Sequence, residues 1–372
     1  MTLLNVEQYR QQARRRLPSF VFDYLDGGSE DEVALKENRR AFEAIKMAPR
    51  VLNDVSVRDQ SVDWFGQRLP MPIVIAPTGL NGLYRHDGDI LLARAASRSG
   101  IPFALSTASS NSIEEVAKAS NGDLWFQLYV MNRDFADQLV DRALAADFSH
   151  LVLTVDVAMG GKRERDERNN FVMPFRFRPK TIADVLCHPR WLWDVGRHGA
   201  PKMANLATET ASDPNTQAAL LSRKMDASFN WDDLKRLRDR WPRRLLVKGL
   251  LHPDDAKRAV GLGVDAVVVS NHGGRQLDIA PATIDVLPRF SDINAPILVD
   301  SGIRRGSDIV KAISLGASAV MIGRAALFGL VVGGEQGIVD VIELLRREID
   351  RTQALLGAKN VIMDGIRTPH LA

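Results

Sequence analysis

The sequence predicts an α/β fold in which eight parallel strands close into a barrel, the TIM (β/α)8 class. Along its 372 residues, short apolar runs rich in β-branched residues alternate about eight times with segments of helical periodicity. The apolar runs are nearly continuous, which indicates strands buried on both faces and therefore a parallel sheet. A doubly wound sheet is the alternative, but no Gly-x-Gly-x-x-Gly opens a helix after the first strand. We expect residues 1–372 to form a single domain.

The predicted barrel strands are separated by helical segments and preceded by further helices. The strands are predicted at 73–76, 103–106, 125–130, 151–156, 245–248, 266–270, 297–300 and 319–323. The helices between them are predicted at 90–99, 112–119, 133–146, 231–240, 253–262 and 307–315. Residues 3–45 are expected to be helical, with Asn5 capping the first helix and Gly27-Gly28 ending the second.

Composition narrows the class of protein. A hydrophobic fraction of 45% and a charged fraction of 26% are those of a soluble globular protein. A net charge of +3 gives no reason to expect nucleic-acid binding. The single cysteine, Cys187, excludes an internal disulfide, a cysteine-ligated zinc site and an iron–sulfur cluster, and no metal is expected. The first ten residues lack the apolar core of a signal peptide, and no uncharged apolar run reaches the roughly 18 residues of a spanning helix.

One connection is far longer than the others. Between the fourth strand and the helix before the fifth lie roughly residues 169–228, whereas βα connections usually have about 2–6 residues. This segment interleaves basic and aromatic or apolar side chains: Arg176, Arg178, Lys180, Arg190, Arg197 and Lys202 with Phe175, Phe177, Trp191, Leu192 and Trp193. The pattern is typical of a segment that lies at a membrane interface. A solvated lid over the active site is the alternative.

The stretch Ser270-Asn271-His272-Gly273-Gly274-Arg275 directly follows a buried strand and suggests proton chemistry on an anion. The two glycines let the backbone turn sharply or approach a ligand. A histidine can move a proton near neutral pH. An arginine three residues later can grip a carboxylate or a phosphate with two parallel hydrogen bonds. The sequence therefore predicts an acid–base site at this strand end.

Other strand ends are expected to meet this motif, because barrels of this class form their active sites at the carboxyl ends of the strands. The ends carry Pro77, Thr78, Gly79, Ser106, Gln127, Tyr129, Thr154, Asp156, Lys248, Ser270 and Asp300. The loops after the seventh and eighth strands, where barrels commonly bind phosphate, hold Gly302, Arg304, Gly323 and Arg324.

The remaining groups suit redox chemistry on a flavin. Lys248 would place a fixed cation beside the ring and favour its anionic reduced form. Gln127, Thr154 and Ser106 could form hydrogen bonds with the polar edge of the ring. An isolated lysine or aspartate at a strand end is, however, more often a cap or an ion-pair partner.

A second group of residues suits a carboxylate substrate. Asp156 could orient His272 and raise its pKa, and Arg163 and Arg275 could clamp the carboxylate. Two tyrosines, Tyr24 and Tyr129, could donate to the other substrate oxygens, although Tyr24 taken alone is a packing residue at a helix end. Arg165 alternates with Arg163, so one of the two is expected to be only a member of a surface ion pair.

These motifs resemble the FMN-dependent α-hydroxy acid oxidases and dehydrogenases over nearly the whole chain. The matching stretches are 24–28, 125–129, 154–156, 247–249, 270–278, 300–306 and 322–324. The resemblance implies a barrel with FMN at its mouth, His272 as the base, Asp156 as its support, and Tyr24 and Tyr129 beside the substrate. It also selects Arg163, with Arg275, as the carboxylate clamp in preference to Arg165.

Within the family, 77–82, 106–109, 163–166 and 225–231 are most similar to bacterial members that oxidise (S)-mandelate at a membrane, whereas 83–85 is more similar to members that oxidise L-lactate. The resemblance implies oxidation of a 2-hydroxy acid to the 2-keto acid, with electrons passed to a membrane quinone. It further implies a homotetramer on the cytoplasmic side of the inner membrane, docked through residues 174–212. An L-lactate dehydrogenase, an oxygen-using oxidase, a flavin-using isomerase and a non-catalytic protein on the same fold are the alternatives.

Overall fold

Eight parallel strands close into a barrel in the computed structural model, which describes residues 3–171, 179–206 and 225–362. The barrel strands are β3 (Ile73–Ile75), β4 (Phe103–Ser106), β5 (Leu124–Leu128), β6 (His150–Thr154), β7 (Arg244–Leu250), β8 (Ala266–Val269), β9 (Ile297–Val299) and β10 (Ala319–Ile322). Each strand pairs with the next along the chain, and β10 closes the ring onto β3. The predicted fold class is thereby confirmed.

The strands are short and almost wholly buried, which explains why their apolar runs were visible in the sequence. Every residue of β4, β5 and β6 is buried, for example. Helices that follow the strands cover the outside of the barrel. They are α4 (Gly88–Ser99), α5 (Ile113–Ala119), α6 (Arg133–Ala145), α10 (Trp231–Arg240), α11 (Pro253–Gly261), α12 (Thr283–Val286), α13 (Gly306–Ser314) and α14 (Arg324–Leu356).

The N-terminal segment adds three helices and a hairpin. The helices are α1 (Val6–Arg16), α2 (Ser19–Asp26) and α3 (Val33–Ala44), and the Asn5 side chain caps α1 by accepting from the backbone N–H of Gln8. The antiparallel strands β1 (Val62–Trp64) and β2 (Gln67–Leu69) follow. Trp64 donates its indole N–H to His150 at the start of β6, so the hairpin covers the amino-terminal end of the barrel, opposite the predicted site.

The last helix, α14, was not among the helices predicted from the sequence. It contains a kink at Gly334, where φ is +61°. Within the described residues it is the one helix long and apolar enough to cross a membrane, but 67% of its most apolar window is buried inside the fold. It packs against α1, α4 and α13, as a core helix does.

The long connection after β6 folds back onto the barrel mouth. A short helix, α7 (Glu164–Arg168), is followed by α8 (Pro179–Leu186) and α9 (Pro189–His198). Trp191 of α9 is buried and donates to the carbonyl oxygen of Leu83, with 2.8 Å between the atoms. Asp184 of α8 accepts from the backbone N–H of Ser19. Of the segment predicted at 174–212, residues 174–178 and 207–212 lie outside the described part of the chain.

Candidate active site

A cavity of about 500 Å³ opens at the carboxyl ends of the barrel strands. Most of the predicted site residues line it: Tyr24, Pro77, Thr78, Gly79, Ser106, Tyr129, Thr154, Arg163, Lys248, His272, Arg275, Asp300, Gly302, Arg304, Gly323 and Arg324. The other three, Gln127, Asp156 and Ser270, form hydrogen bonds with lining residues. The structure therefore brings all the predicted residues together at one end of the barrel.

His272 is held between a carboxylate and a phenol. Its Nδ1 lies 2.9 Å from Asp156 Oδ1, and its Nε2 lies 3.2 Å from the hydroxyl oxygen of Tyr129. Because an ionised carboxylate only accepts, Nδ1 carries the proton and Nε2 is left as the basic nitrogen. The residue has φ of +57°, a left-handed conformation that is costly away from glycine and is typically retained at functional sites.

Burial lowers the pKa of His272, and this effect exceeds the opposing attraction of Asp156. The cationic side chains of Lys248 and Arg163 lower it further. Asp156 raises the pKa of His272, as expected, but burial outweighs this effect, and the sequence does not reveal how deeply the ring is buried. For Asp156, burial alone would raise the pKa, but the neighbouring His272 and Lys248 hold it below its ordinary value. A neutral imidazole beside an ionised carboxylate is the arrangement that a general base requires.

Lys248 forms a buried cation that connects three neighbouring strands. It lies on β7, and its Nζ is 2.8 Å from Ser270 Oγ and 3.0 Å from Asp300 Oδ2. Burial acts to lower its pKa, but the carboxylates of Asp300 and Asp156 outweigh that effect and raise the pKa overall. The cavity therefore has a permanent positive charge in its wall.

Among the buried polar atoms that have no hydrogen-bond partner within the described residues, two lie at neighbouring strand ends of the barrel. They are Gln127 Nε2 and Thr154 Oγ1. Gln127 Oε1 is occupied, since it accepts from Ser106 Oγ at 3.0 Å. Buried polar atoms are nearly always paired, so these two fit a ligand with a polar edge, as a flavin ring has.

The opposite side of the cavity concentrates positive charge. Burial and the nearby Arg39 lower the pKa of Arg304 to about 10, and burial, Arg275 and Arg304 lower that of Arg324 to about 9. Cations that destabilise one another in this way favour a bound anion such as a phosphate. The guanidinium of Arg324 already donates to the carbonyl oxygens of Leu25, Gly27 and Gly273. A guanidinium has five N–H donors, and the backbone N–H groups at the start of α14 offer further donors to a phosphate.

Two further arginines, Arg163 and Arg275, line the cavity. Arg163 is buried, with 8% of its surface exposed. Arg275 donates to the carbonyl oxygens of Tyr24 and Gly27, and its guanidinium carbon lies 5.2 Å from the centre of the Tyr24 ring. Arg165 is an ion-pair member, as one of the two alternating arginines was expected to be. It is partly buried and pairs with Asp23, Asp26 and Glu32.

Several apolar side chains that were not predicted as site residues also line the cavity. Phe171 stacks on Tyr24 with ring centroids 4.4 Å apart and planes 5° apart. Met203, Met225 and Tyr84 also line the cavity. These residues lie in connections, where no periodicity distinguishes a pocket residue from a loop residue, although Tyr84 and Met225 fall in stretches that carry the family resemblance.

The chain matches the FMN-dependent dehydrogenase family over residues 13–364, and it belongs to that family. It is an FMN-dependent oxidoreductase of 2-hydroxy acids, and FMN is its cofactor. Among curated proteins it is 51% identical over 360 residues to (S)-mandelate dehydrogenase of Pseudomonas putida, covering 96% of this chain and 92% of the relative. It is 41% identical over 360 residues to L-lactate dehydrogenase of Pectobacterium atrosepticum, covering 95% and 93%.

Solved structures agree. The chain superposes with a TM-score of 0.94 on a structure described as the monotopic membrane protein (S)-mandelate dehydrogenase, at 50% identity and 97% coverage of both chains. A mandelate oxidase variant gives a TM-score of 0.82 at 33% identity, covering 97% of this chain and 96% of that one. The likeness thus extends to both dehydrogenases and oxidases.

Proposed function

We propose that this protein oxidises (S)-mandelate to benzoylformate. The observation that carries the proposal is the neutral His272, oriented by Asp156 in the wall of a cavity that is also lined by Lys248, four arginines and several apolar side chains. The apolar side chains of Phe171, Met203 and Met225 suit a phenyl group. The 51% identity to an (S)-mandelate dehydrogenase supports the same substrate.

In this mechanism Arg163 and Arg275 bind the substrate carboxylate and fix the orientation of the α-carbon. Nε2 of His272 takes a proton from the substrate, and Asp156 stabilises the imidazolium that results. Tyr129, 3.2 Å from Nε2, donates to the substrate oxygen. Removal of the hydroxyl proton with hydride transfer and removal of the α-carbon proton both use these same residues.

FMN, when bound, supplies the acceptor for the two electrons that leave the substrate. Gln127 Nε2 and Thr154 Oγ1 would hold its polar ring edge, and the turns at Gly302 and Gly323, with Arg304, would hold its phosphate. Lys248 offsets the negative charge that develops beside it.

The proposal extends to the membrane and to assembly. The α8–α9 segment exposes Leu186 and Trp193, 65% and 71% of whose surfaces are accessible. We propose that residues 174–212 dock on the cytoplasmic side of the inner membrane and that electrons pass to quinone there. The description of the solved relative as a monotopic membrane protein supports docking. A homotetramer and a single domain over 1–372 remain predictions.

Anaerobic reduction of the bound flavin tests the proposed substrate. The holoenzyme is mixed without oxygen with (S)-mandelate, L-lactate or glycolate, and loss of the oxidised flavin absorbance is followed. We expect mandelate to bleach the flavin fastest. Faster reduction by L-lactate would make L-lactate the substrate in place of mandelate, and no reduction by any hydroxy acid would overturn the proposed function. Re-oxidation by a quinone analogue or by oxygen then identifies the acceptor.

A further inference from the structure

A buried carboxylate, Asp89, lies behind the cavity and has no part in the chemistry described above. It belongs to the first turn of α4, and none of its surface is accessible. Its Oδ1 accepts from Asn81 Nδ2 at 2.7 Å, and its Oδ2 accepts from the backbone N–H groups of Ser110 and Asn111 at 2.8 and 3.3 Å. One carboxylate thus holds the loop after β3 with one oxygen and the loop after β4 with the other.

Those two loops form one wall of the cavity. The loop after β3 contributes Thr78, Gly79 and Leu80, and the end of β4 with its loop contributes Ser106 and Ala108. Asn81, also fully buried, transmits the constraint, because its amide donates to the carbonyl oxygen of Thr78 at 3.0 Å and accepts from Thr78 Oγ1 at 3.1 Å. The chain of bonds from Asp89 therefore ends at residues that face the cofactor site.

The loops are packed with little freedom. A Cβ added to Gly79 would lie 3.0 Å from the Ala108 Cβ, and one added to Gly82 would lie 2.8 Å from the Ser110 Cβ. Leu80 and Asp87, which flank the network, have φ of +56° and +55°. Left-handed conformations at non-glycine residues persist only where the surrounding contacts enforce them.

Resting on the proposed function of this cavity, we propose that Asp89 is a positioning residue that sets the approach of the Gly79 and Ala108 loops to FMN. A carboxylate suits this role because both of its oxygens accept, whereas an asparagine would turn a donor toward one of the two sets of N–H groups. Burial raises the pKa of Asp89 to about 6 against the effect of these donors, so the group is mainly ionised at neutral pH. Burying this charge costs folding free energy, which is consistent with a role in positioning the loops and not in stabilising the fold.

The Asp89→Asn variant tests the proposal. The asparagine amide would turn one donor toward another, so the two loops should shift relative to each other; each tenfold effect expected below corresponds to about 1.4 kcal/mol. We expect FMN to dissociate from the holoenzyme on dilution with a Kd roughly tenfold higher, measured by flavin fluorescence, and the visible circular dichroism of the flavin to change. The limiting rate of flavin reduction should fall roughly tenfold, while the Kd of the substrate stays within about threefold, because Arg163 and Arg275 lie on other loops.

Asp265→Asn is the matched control. Asp265 precedes β8 at the amino-terminal end of the barrel, where its carboxylate accepts from the backbone N–H of Leu245 at 2.9 Å and from Arg238. It also joins two segments, but away from the cavity. This variant should lose thermal stability with FMN affinity, flavin spectrum and reduction rate unchanged.

An Asp89→Asn holoenzyme whose FMN affinity, spectrum and reduction rate all lie within twofold of wild type would overturn the proposal. If that variant does not fold, the same measurements on Asn81→Ser test the proposal. This substitution removes the link to Thr78 and leaves the bonds of Asp89 to Ser110 and Asn111. Failure of the proposed substrate is separately visible, because the wild-type enzyme would then not be reduced by mandelate whatever its affinity for FMN.

Discussion

At the scale of single residues, the chemistry depends on environments that the fold imposes on ordinary side chains. Nε2 of His272 is unprotonated at neutral pH, and so available as a base, because burial and two nearby cations lower the pKa of the ring while Asp156 keeps Nδ1 protonated. Lys248 remains charged although it is buried, because Asp300 and Asp156 compensate. Burial and neighbouring charges thus leave His272 neutral and Lys248 charged within one cavity.

Replacing His272 by glutamine should stop the reaction and leave the cofactor in place. Glutamine keeps a polar side chain of similar reach but cannot accept a proton, and loss of a general base costs about 10²–10⁴ in rate. The measurement is stopped-flow reduction of the bound flavin by mandelate, with FMN content determined on the same sample. His252→Gln, at an exposed helix cap, is the control and should behave as wild type. Reduction of the His272→Gln variant at a near-normal rate would remove His272 from the mechanism.

The pH dependence of kcat/KM should report the depressed pKa of His272. Protonation removes the base, so activity falls as the pH falls, and the midpoint should lie below the ordinary histidine value of about 6.5. The sign for stability is the same: the contribution of a neutral buried imidazole is present above the unfolded-state pKa and is lost as pH falls through the folded-state pKa. Flavin fluorescence at each pH controls for loss of FMN. A midpoint above about 6.5 would contradict the assigned environment.

At the scale of elements, the sequence predicted the strands and helices whose burial produces a regular pattern of apolar residues. It did not predict features that depend on tertiary contacts. All eight barrel strands were found because both faces are buried. No helix was predicted over α14, where Gly333-Gly334 is typical of a helix end, although the helix continues through a kink there.

The candidate site shows the same division. Its strand-end residues could be predicted, because parallel strands deliver their carboxyl ends to one place. Phe171 and Met203 could not, because their position beside the cavity depends on how the connection after β6 folds back. Asp89 could not either, since an aspartate in the first turn of a helix is usually an exposed cap, and only the fold shows that it is buried between two loops.

At the scale of the whole molecule, the connection after β6 joins the cavity to an outward apolar surface. Within this connection, Phe171 before α8 and Met203 after α9 line the cavity, and Trp191 fixes α9 to the loop after β3. Nearby, Leu186 and Trp193 are directed to solvent. One continuous segment therefore has an inner side that contributes to the active site and an outer side suited to a lipid interface.

Removing the outward apolar side chains should release the protein from membranes without affecting catalysis. The double variant Leu186→Ser with Trp193→Ser takes away two exposed apolar groups, which together contribute roughly 2–4 kcal/mol to burial in the interface. We expect co-sedimentation with vesicles of bacterial lipids to weaken at least roughly tenfold, with mandelate-dependent flavin reduction unchanged. The double variant Val51→Ser with Val57→Ser is the control, because each valine is 77% exposed elsewhere on the surface. Sedimentation of the Leu186 and Trp193 variant at the wild-type level, or of a chain lacking residues 174–212, would show that the protein binds membranes through another surface.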